Sequence, residues 1–210
     1  MTRLQPFTDP KFILYRGSVI QVVGLQTDLP RPLVLQASGP LGSQDVQLIE
    51  TYCGDLPGLV TSKAVADDYL YFSRYEKLGT VNLIGYQLHE LISGFKRPNG
   101  KLVPASMVPI ELITEWLEQF LVFIEETGND GNYPAQARKL VDSGKLYVYL
   151  LDGVPVSMAG STRSQGSIAA INHVFTPEHL RKNGYAYSCV GELSQLLLRT
   201  HDSCVLYADK

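Results

Sequence analysis

The chain has 210 residues, 45% of them hydrophobic and 19% charged, with a formal net charge of −3 at pH 7. That balance belongs to a core-forming globular protein, and at this length one large domain or two small ones fit. Without a basic run or stripe, it excludes a nucleic-acid partner held by phosphate neutralisation, while a small cluster such as Arg181-Lys182 still suits a small anion.

Residues 1–11 lack the apolar segment of a secretory signal, and no stretch reaches the roughly 18 apolar residues of a membrane span. Cys53, Cys189 and Cys204 are odd in number and lack metal-ligand spacing. The expectation is a cytoplasmic protein with no membrane contact and no bound metal, its cysteines packed as small hydrophobes.

Along the first half, residues 18–26 (SVIQVVGLQ) and 33–36 read as strands separated by the breaker Pro30-Arg31-Pro32. Residues 45–52 have helical spacing, Leu59-Val60 starts a short strand, and residues 62–75 read as a helix with Ser62 as N-cap. Residues 81–89 return to a strand. His89 has no second histidine four residues on, so no zinc helix is read there. The stretch 93–104 (SGFKRPNGKLVP), rich in Gly, Pro and charge, is the best linker, which divides the chain into domains 1–95 and 96–210.

In the second half Ile113, Trp116, Leu117, Phe120, Leu121 and Ile124 keep the spacing of one buried helix face, closed at Thr127-Gly128. Residues 133–141 form a shorter helix. Strands at 145–151 and 154–163 flank Asp152-Gly153, a type I′ hairpin pair in which both residues tolerate positive φ. A turn at 164–166 leads into a strand at 167–175, a loop, a helix over 184–199 and a last strand at 203–207. The class is α/β, with α+β character and a mixed sheet. The first half follows a similar order without shared residues at a fixed period, as a divergent copy lacking a site would.

Arg181-Lys182-Asn183-Gly184-Tyr185-Ala186 ends the loop and opens the helix. A helix start offers free N–H groups and partial positive charge, so a pyrophosphate can dock there. Gly184 permits close backbone approach, Ala186 leaves the helix start uncrowded, and Asn183 is expected to take the left-handed turn that folds the amides into a nest. Arg181 and Lys182 add charged donors. The pattern is short enough to arise by chance in roughly one chain in five of this length, from a glycine usage of about 7%. Its position between a strand and a long helix gives it weight.

Val174-Phe175-Thr176-Pro177-Glu178-His179, followed by Arg181-x-x-Gly184-Tyr185-Ala186, resembles the fourth-strand to third-helix signature of the GNAT acetyltransferases. Residues 154–160 (VPVSMAG) resemble the second and third strands of a bacterial subgroup, and residues 204–209 (CVLYAD) its fifth. The likeness spans about 101–210, and Lys182 stands where the subgroup usually has Gly. In the family, the fifth strand is followed by an Asn-Pro-x-Ser-Asn segment, a helix with a thiolate-protonating Tyr, and two more strands. The sequence stops at Lys210, so an exposed sheet edge is expected beside the last strand.

The resemblance implies transfer of an acetyl group from acetyl-CoA to an amine of a small molecule or peptide. Backbone groups of Val174, Phe175 and Thr176 would hold the pantetheine arm, and an N–H near Val174 would polarise the thioester carbonyl. His173 is the candidate base, with a strand histidine satisfied by a neighbour as the other reading. Tyr207 is the candidate acid, or else packing. Ser157, Met158 and Arg163 line the acceptor pocket or are ordinary strand residues. A non-catalytic CoA-binding or interaction module remains the alternative function. A dinucleotide-binding domain fits poorly, because short hairpins make the strands before the loop antiparallel.

Overall fold

A computed structural model describes residues 11–16, 20–26, 31–92, 99–124 and 131–209. Its contacts gather into two units, Met1–Thr80 and Val81–Lys210.

In the first unit the elements are β1 (Lys11–Arg16), β2 (Ile20–Gln26), β3 (Leu33–Ala37), α1 (Ser43–Cys53), β4 (Leu59–Val60) and α2 (Lys63–Phe72). β1, β2 and β3 pair antiparallel in chain order, and β4 joins β3 in parallel through Leu33–Leu59 and Val34–Val60. Leu33 and Leu35 point inward and Val34 and Gln36 outward, the period of two that strand geometry imposes. The inward pair packs with Val46, Ile49 and Cys53 of α1 and Val65 and Tyr69 of α2. Ser62 caps α2 as expected, its Oγ accepting the Val65 N–H at 3.4 Å. β1 is an additional strand, and the start of the expected strand 18–26 lies outside the described residues.

The second unit holds β5 (Leu83–Leu88), β6 (Gly100–Pro104), α3 (Ile110–Phe123), α4 (Tyr133–Asp142), β7 (Leu146–Leu151), β8 (Val154–Gly160), β9 (Ile168–Phe175), α5 (Tyr185–Leu197) and β10 (Ser203–Asp209). The sheet order is β5-β10-β9-β8-β7-β6, and only β9–β10 is parallel. Alternation sorts its side chains onto two faces. Val148, Met158 and Phe175 meet Ile113, Trp116 and Leu117 of α3 and Ala137 of α4. Tyr149, Ala159 and Ile171 meet Cys189 and Leu193 of α5. Asp152 (φ 49°) and Gly153 (φ 82°) make the two-residue hairpin, with Leu151 opposite Val154. All three cysteines are buried and unbridged, and burial pushes the Cys189 thiol up to about 12, which leaves it unreactive.

Three expectations change. The division falls at Thr80/Val81 rather than 95/96, because β5 pairs with β10 over six residues and so belongs with the later sheet. That pairing also corrects the exposed edge expected at β10: a strand from earlier in the chain covers it. Finally, the expected linker contains β6. Its glycine and proline, read as breakers, suit an edge strand. A Cβ at Gly100 would stand 2.5 Å from the Leu150 carbonyl oxygen and from the Tyr149 ring. Pro104 closes the strand, and the Glu192 carboxylate of α5 accepts the Leu102 N–H. Residues 93–98 of that linker, and the expected helix stop at Thr127-Gly128, lie outside the described residues.

The strand expected over 154–163 ends at Gly160. No described helix is long and apolar enough to cross a membrane, and no described group of His, Cys, Asp and Glu could hold a metal ion.

Candidate active site

β9 and β10 run side by side only from Ile168–Ser203 to Ile171–Leu206. Past that point residues 207–209 stay with β5 and residues 172–175 stay with β8. Each strand keeps its outer partner while losing the other, so a wedge opens at the carboxyl end of the parallel pair. On the wedge side, the backbone groups of residues 172–175 have no strand to pair with among the described residues.

The loop leading to α5 starts at the same end of the sheet. Pro177 ends the strand, and a 3-10 turn over Glu178–Leu180 follows. Lys182 (φ 65°) and Gly184 (φ 77°) then take the left-handed region on either side of Asn183, which does not. The expectation that Asn183 makes the left-handed turn is therefore corrected: Lys182 takes it, at a cost of roughly 1–2 kcal/mol for a non-glycine residue. Asn183 instead donates its side-chain amide to the Leu180 and Arg181 carbonyls, 3.1 Å each, and so stays in the intervening conformation. Alternating signs of φ turn successive N–H groups toward one side, the geometry of an anion nest. The amides of Lys182, Asn183, Gly184, Tyr185 and Ala186 have no hydrogen-bond partner among the described residues, and residues 181–184 are exposed. Gly184 is the N-cap of α5 and brings no side chain to fill the nest.

Arg181 is held in place from two sides. Its Nε donates to the Thr176 carbonyl at 3.1 Å, and its guanidinium carbon lies 4.9 Å from the centre of the Phe123 ring. Phe175 and Thr176 are partly committed within the fold. Ser157 Oγ donates to the Phe175 carbonyl and pairs with Thr176 Oγ1, both at 2.9 Å. The Phe175 ring is buried against Trp116 and Phe120. Ser157 and Met158 are themselves fully buried, so they form core rather than the wall of an acceptor pocket.

His173 lies at a β-bulge. Gly160 pairs with Asn172 and Met158 with Phe175, so two steps on β8 face three on β9. His173 takes φ 50°, a strained value for this residue type. Its Nδ1 lies 2.8 Å from Asn172 Oδ1, and its ring centre 5.8 Å from that of Phe120. Burial first, and the Arg163 charge second, push its pKa down to about 4, so the ring is neutral near pH 7. Tyr207 occupies the other arm of the wedge, just past the last β9 pair. Its side chain is 68% exposed and its ring lies over Gly85. Asn172 and Phe120 escaped the sequence reading as site residues. The available signal was the consecutive polar pair Asn172-His173 inside an apolar strand, which breaks the period of two.

The overall fold recurs in solved structures. The chain superposes on a GNAT-family acetyltransferase from Colwellia psychrerythraea with a TM-score of 0.55 and 12% identity, covering 96% of this chain and 76% of that one. The fold is that of the GNAT acetyltransferases. A GCN5-related N-acetyltransferase from Kribbella flavida matches with the same TM-score at 14% identity, over 89% of this chain and 76% of its own. The likeness extends well beyond the second half, to which the sequence resemblance was largely confined. No protein-family model matches the sequence, and no curated protein sequence matches it.

Proposed function

We propose that the Val81–Lys210 unit transfers an acetyl group from acetyl-CoA to an amine of a small molecule or peptide. The observation that carries this reading is the coincidence, at one end of one sheet, of the β9–β10 wedge and the open amides of residues 182–186. The amides, with Arg181 and Lys182, bind the pyrophosphate. Gly184 lets the backbone approach it, and Tyr185 and Ala186 begin the helix whose dipole favours the charge. The wedge takes the pantetheine arm along Val174, Phe175 and Thr176, leaving the thioester beside the bulge.

There the amide at Val174 polarises the carbonyl. His173 accepts a hydrogen bond from the amine and orients its lone pair. With a pKa near 4 the imidazole is a weak proton sink, so the excess proton of the ammonium goes on to solvent. The nitrogen–carbon bond forms, the carbon–sulfur bond breaks, and the second amine proton passes to the thiolate. Tyr207, on the opposite arm, is the candidate relay for it: the hydroxyl gives its proton to the thiolate and is restored by the one the amine releases.

The test is acetyl-CoA titration followed by calorimetry and by a free-thiol assay over an amine panel. Binding with thiol release supports transfer; no binding by the folded chain counts decisively against it. The low basicity of His173 favours one second reading, a CoA-binding module without catalysis. Binding without thiol release across the panel selects that reading.

A further inference from the structure

The bulge at His173 does more than interrupt a ladder. It places two consecutive side chains, Asn172 and His173, close enough for Oδ1 and Nδ1 to meet at 2.8 Å, which a regular strand sends to opposite faces. Asn172 is held by a second residue. Its Nδ2 donates to Thr162 Oγ1 at 2.9 Å, while the Thr162 main-chain N–H faces Oδ1 at 3.5 Å. That N–H can only donate, so flipping the amide would set donor against donor. The oxygen therefore points at His173. Gly160 gives the amide room: a Cβ there would lie 3.3 Å from Oδ1.

An amide oxygen can only accept, so Nδ1 of His173 carries the hydrogen and Nε2 is left as the bare lone pair. We propose that Asn172, oriented by Thr162, is a positioning residue that locks His173 in the Nδ1–H tautomer and so presents Nε2 as the acceptor for the amine. The role rests on the transferase reading for its use, while the lock itself is a property of the free protein. Backbone strain at His173 is consistent with this: the strained φ is what brings the two side chains together. The charged group acting on the ring is Arg163, and the α3 side chain lying against it is the uncharged Phe120 ring.

Nitrogen-15 NMR of imidazole-labelled protein at pH 7 reads the tautomer directly, with His173→Asn assigning its signals among the four histidines. The expected wild-type pattern is a single neutral tautomer with Nε2 unprotonated. Asn172→Leu releases it to a mixture and lowers kcat about tenfold, with the KM for acetyl-CoA unchanged. Asn172→Asp, whose carboxylate also accepts, restores the tautomer and raises the ring's pKa. Thr162→Val, which leaves the strands' backbone intact, loosens the lock partially and carries the test should Asn172→Leu not fold. An Nε2–H tautomer in the wild type, or a pattern indifferent to both Asn172→Leu and Thr162→Val, overturns the proposal. A locked tautomer in a chain that releases no thiol upholds the lock and removes the transfer reading.

Discussion

The two units carry the same run of elements and treat one feature of it in opposite ways. β1-β2-β3-α1-β4 and β7-β8-β9-α5-β10 are each three antiparallel strands, a helix, and a strand returning in parallel to the third. In the first unit the helix start is closed by its own acids. Asp68 Oδ2 accepts the Leu41 N–H at 3.0 Å, and Asp45 Oδ2 accepts the Gly42 N–H at 2.9 Å. In the second the matching amides are open and the nearby charges, Arg181 and Lys182, are cationic. The shared order specifies a helix start at the carboxyl end of the strands. Whether it serves as an anion site depends on what the chain itself supplies to those amides. At the start of α1 no described residue takes positive φ, and the Leu41 and Gly42 amides are already taken by carboxylates.

The sharpest way to break this comparison is to give the second unit what the first has. Gly184→Glu should place a carboxylate at the nest. With no heavy atom within 4 Å of a Cβ there, the side chain has space, so the loss comes from charge and from strain at φ 77° rather than from a clash. Calorimetry should show acetyl-CoA binding lost, a change of at least about 100-fold, given that each charge-assisted bond contributes roughly 1.5–3 kcal/mol. Gly184→Ala, which brings the strain alone, should lose far less. Equal losses would mean that the open amides are not the site.

The next effect concerns the bulge at His173, whose left-handed backbone has no non-glycine counterpart among the described residues of the first unit. His173→Asn keeps a residue type that tolerates left-handed backbone and removes the imidazole. Steady-state assays should show kcat reduced about 100-fold, the low end for a general base, with the KM for acetyl-CoA unchanged. An unchanged kcat would leave His173 as an ordinary strand residue.

Much of this architecture was legible where the signal is local. Asp152-Gly153 announced its hairpin, Ser62 its cap, and Ile113-Trp116-Leu117 their buried face, because each is written within a turn or two of chain. The loop 181–186 was legible as an open helix start for the same reason. What stayed hidden was non-local. β5 finds its partner β10 across more than a hundred residues, a pairing marked by Gln87 Nε2 donating to Ser203 Oγ at 3.1 Å, and nothing in LIGYQL names that partner. β6 was obscured by Gly100, a residue the sheet needs for a close approach that sequence does not display. Which loop residue goes left-handed, Lys182 rather than Asn183, was decided by two side-chain bonds of Asn183 that propensity ignores.

His173 also gives the second unit a pH dependence that a histidine-free variant of the site should lack. Its folded pKa, about 4, is below the ordinary value of 6.5. Between those values the unfolded chain binds a proton that the folded chain refuses, so acid favours unfolding. Stability from this group is therefore intact above pH 6.5, falls as pH drops toward 4, and levels off below. The full loss is at most roughly 3 kcal/mol, from about 1.4 kcal/mol per pKa unit. Urea titrations at pH 7 and pH 4.5 should show a larger drop for the wild type than for His173→Asn. Identical drops would mean that the ring is not held neutral.

The smallest effect tests the other half of the comparison. Asp68→Asn keeps the size of the side chain at the start of α1 but removes the charge that favours the helix dipole and the Leu41 N–H. The first unit should lose about 1 kcal/mol, within the range for a helix-terminal carboxylate, seen as a lower urea midpoint with unchanged slope. Asp45→Asn should act similarly through the Gly42 N–H. Neither should create acetyl-CoA binding in the Gly184→Glu background, since the first unit has no described Arg or Lys in the stretch from β3 to α1 and no bulged histidine beside its strand. Restored binding there would show that open amides alone suffice, and that the cations of the second unit are dispensable.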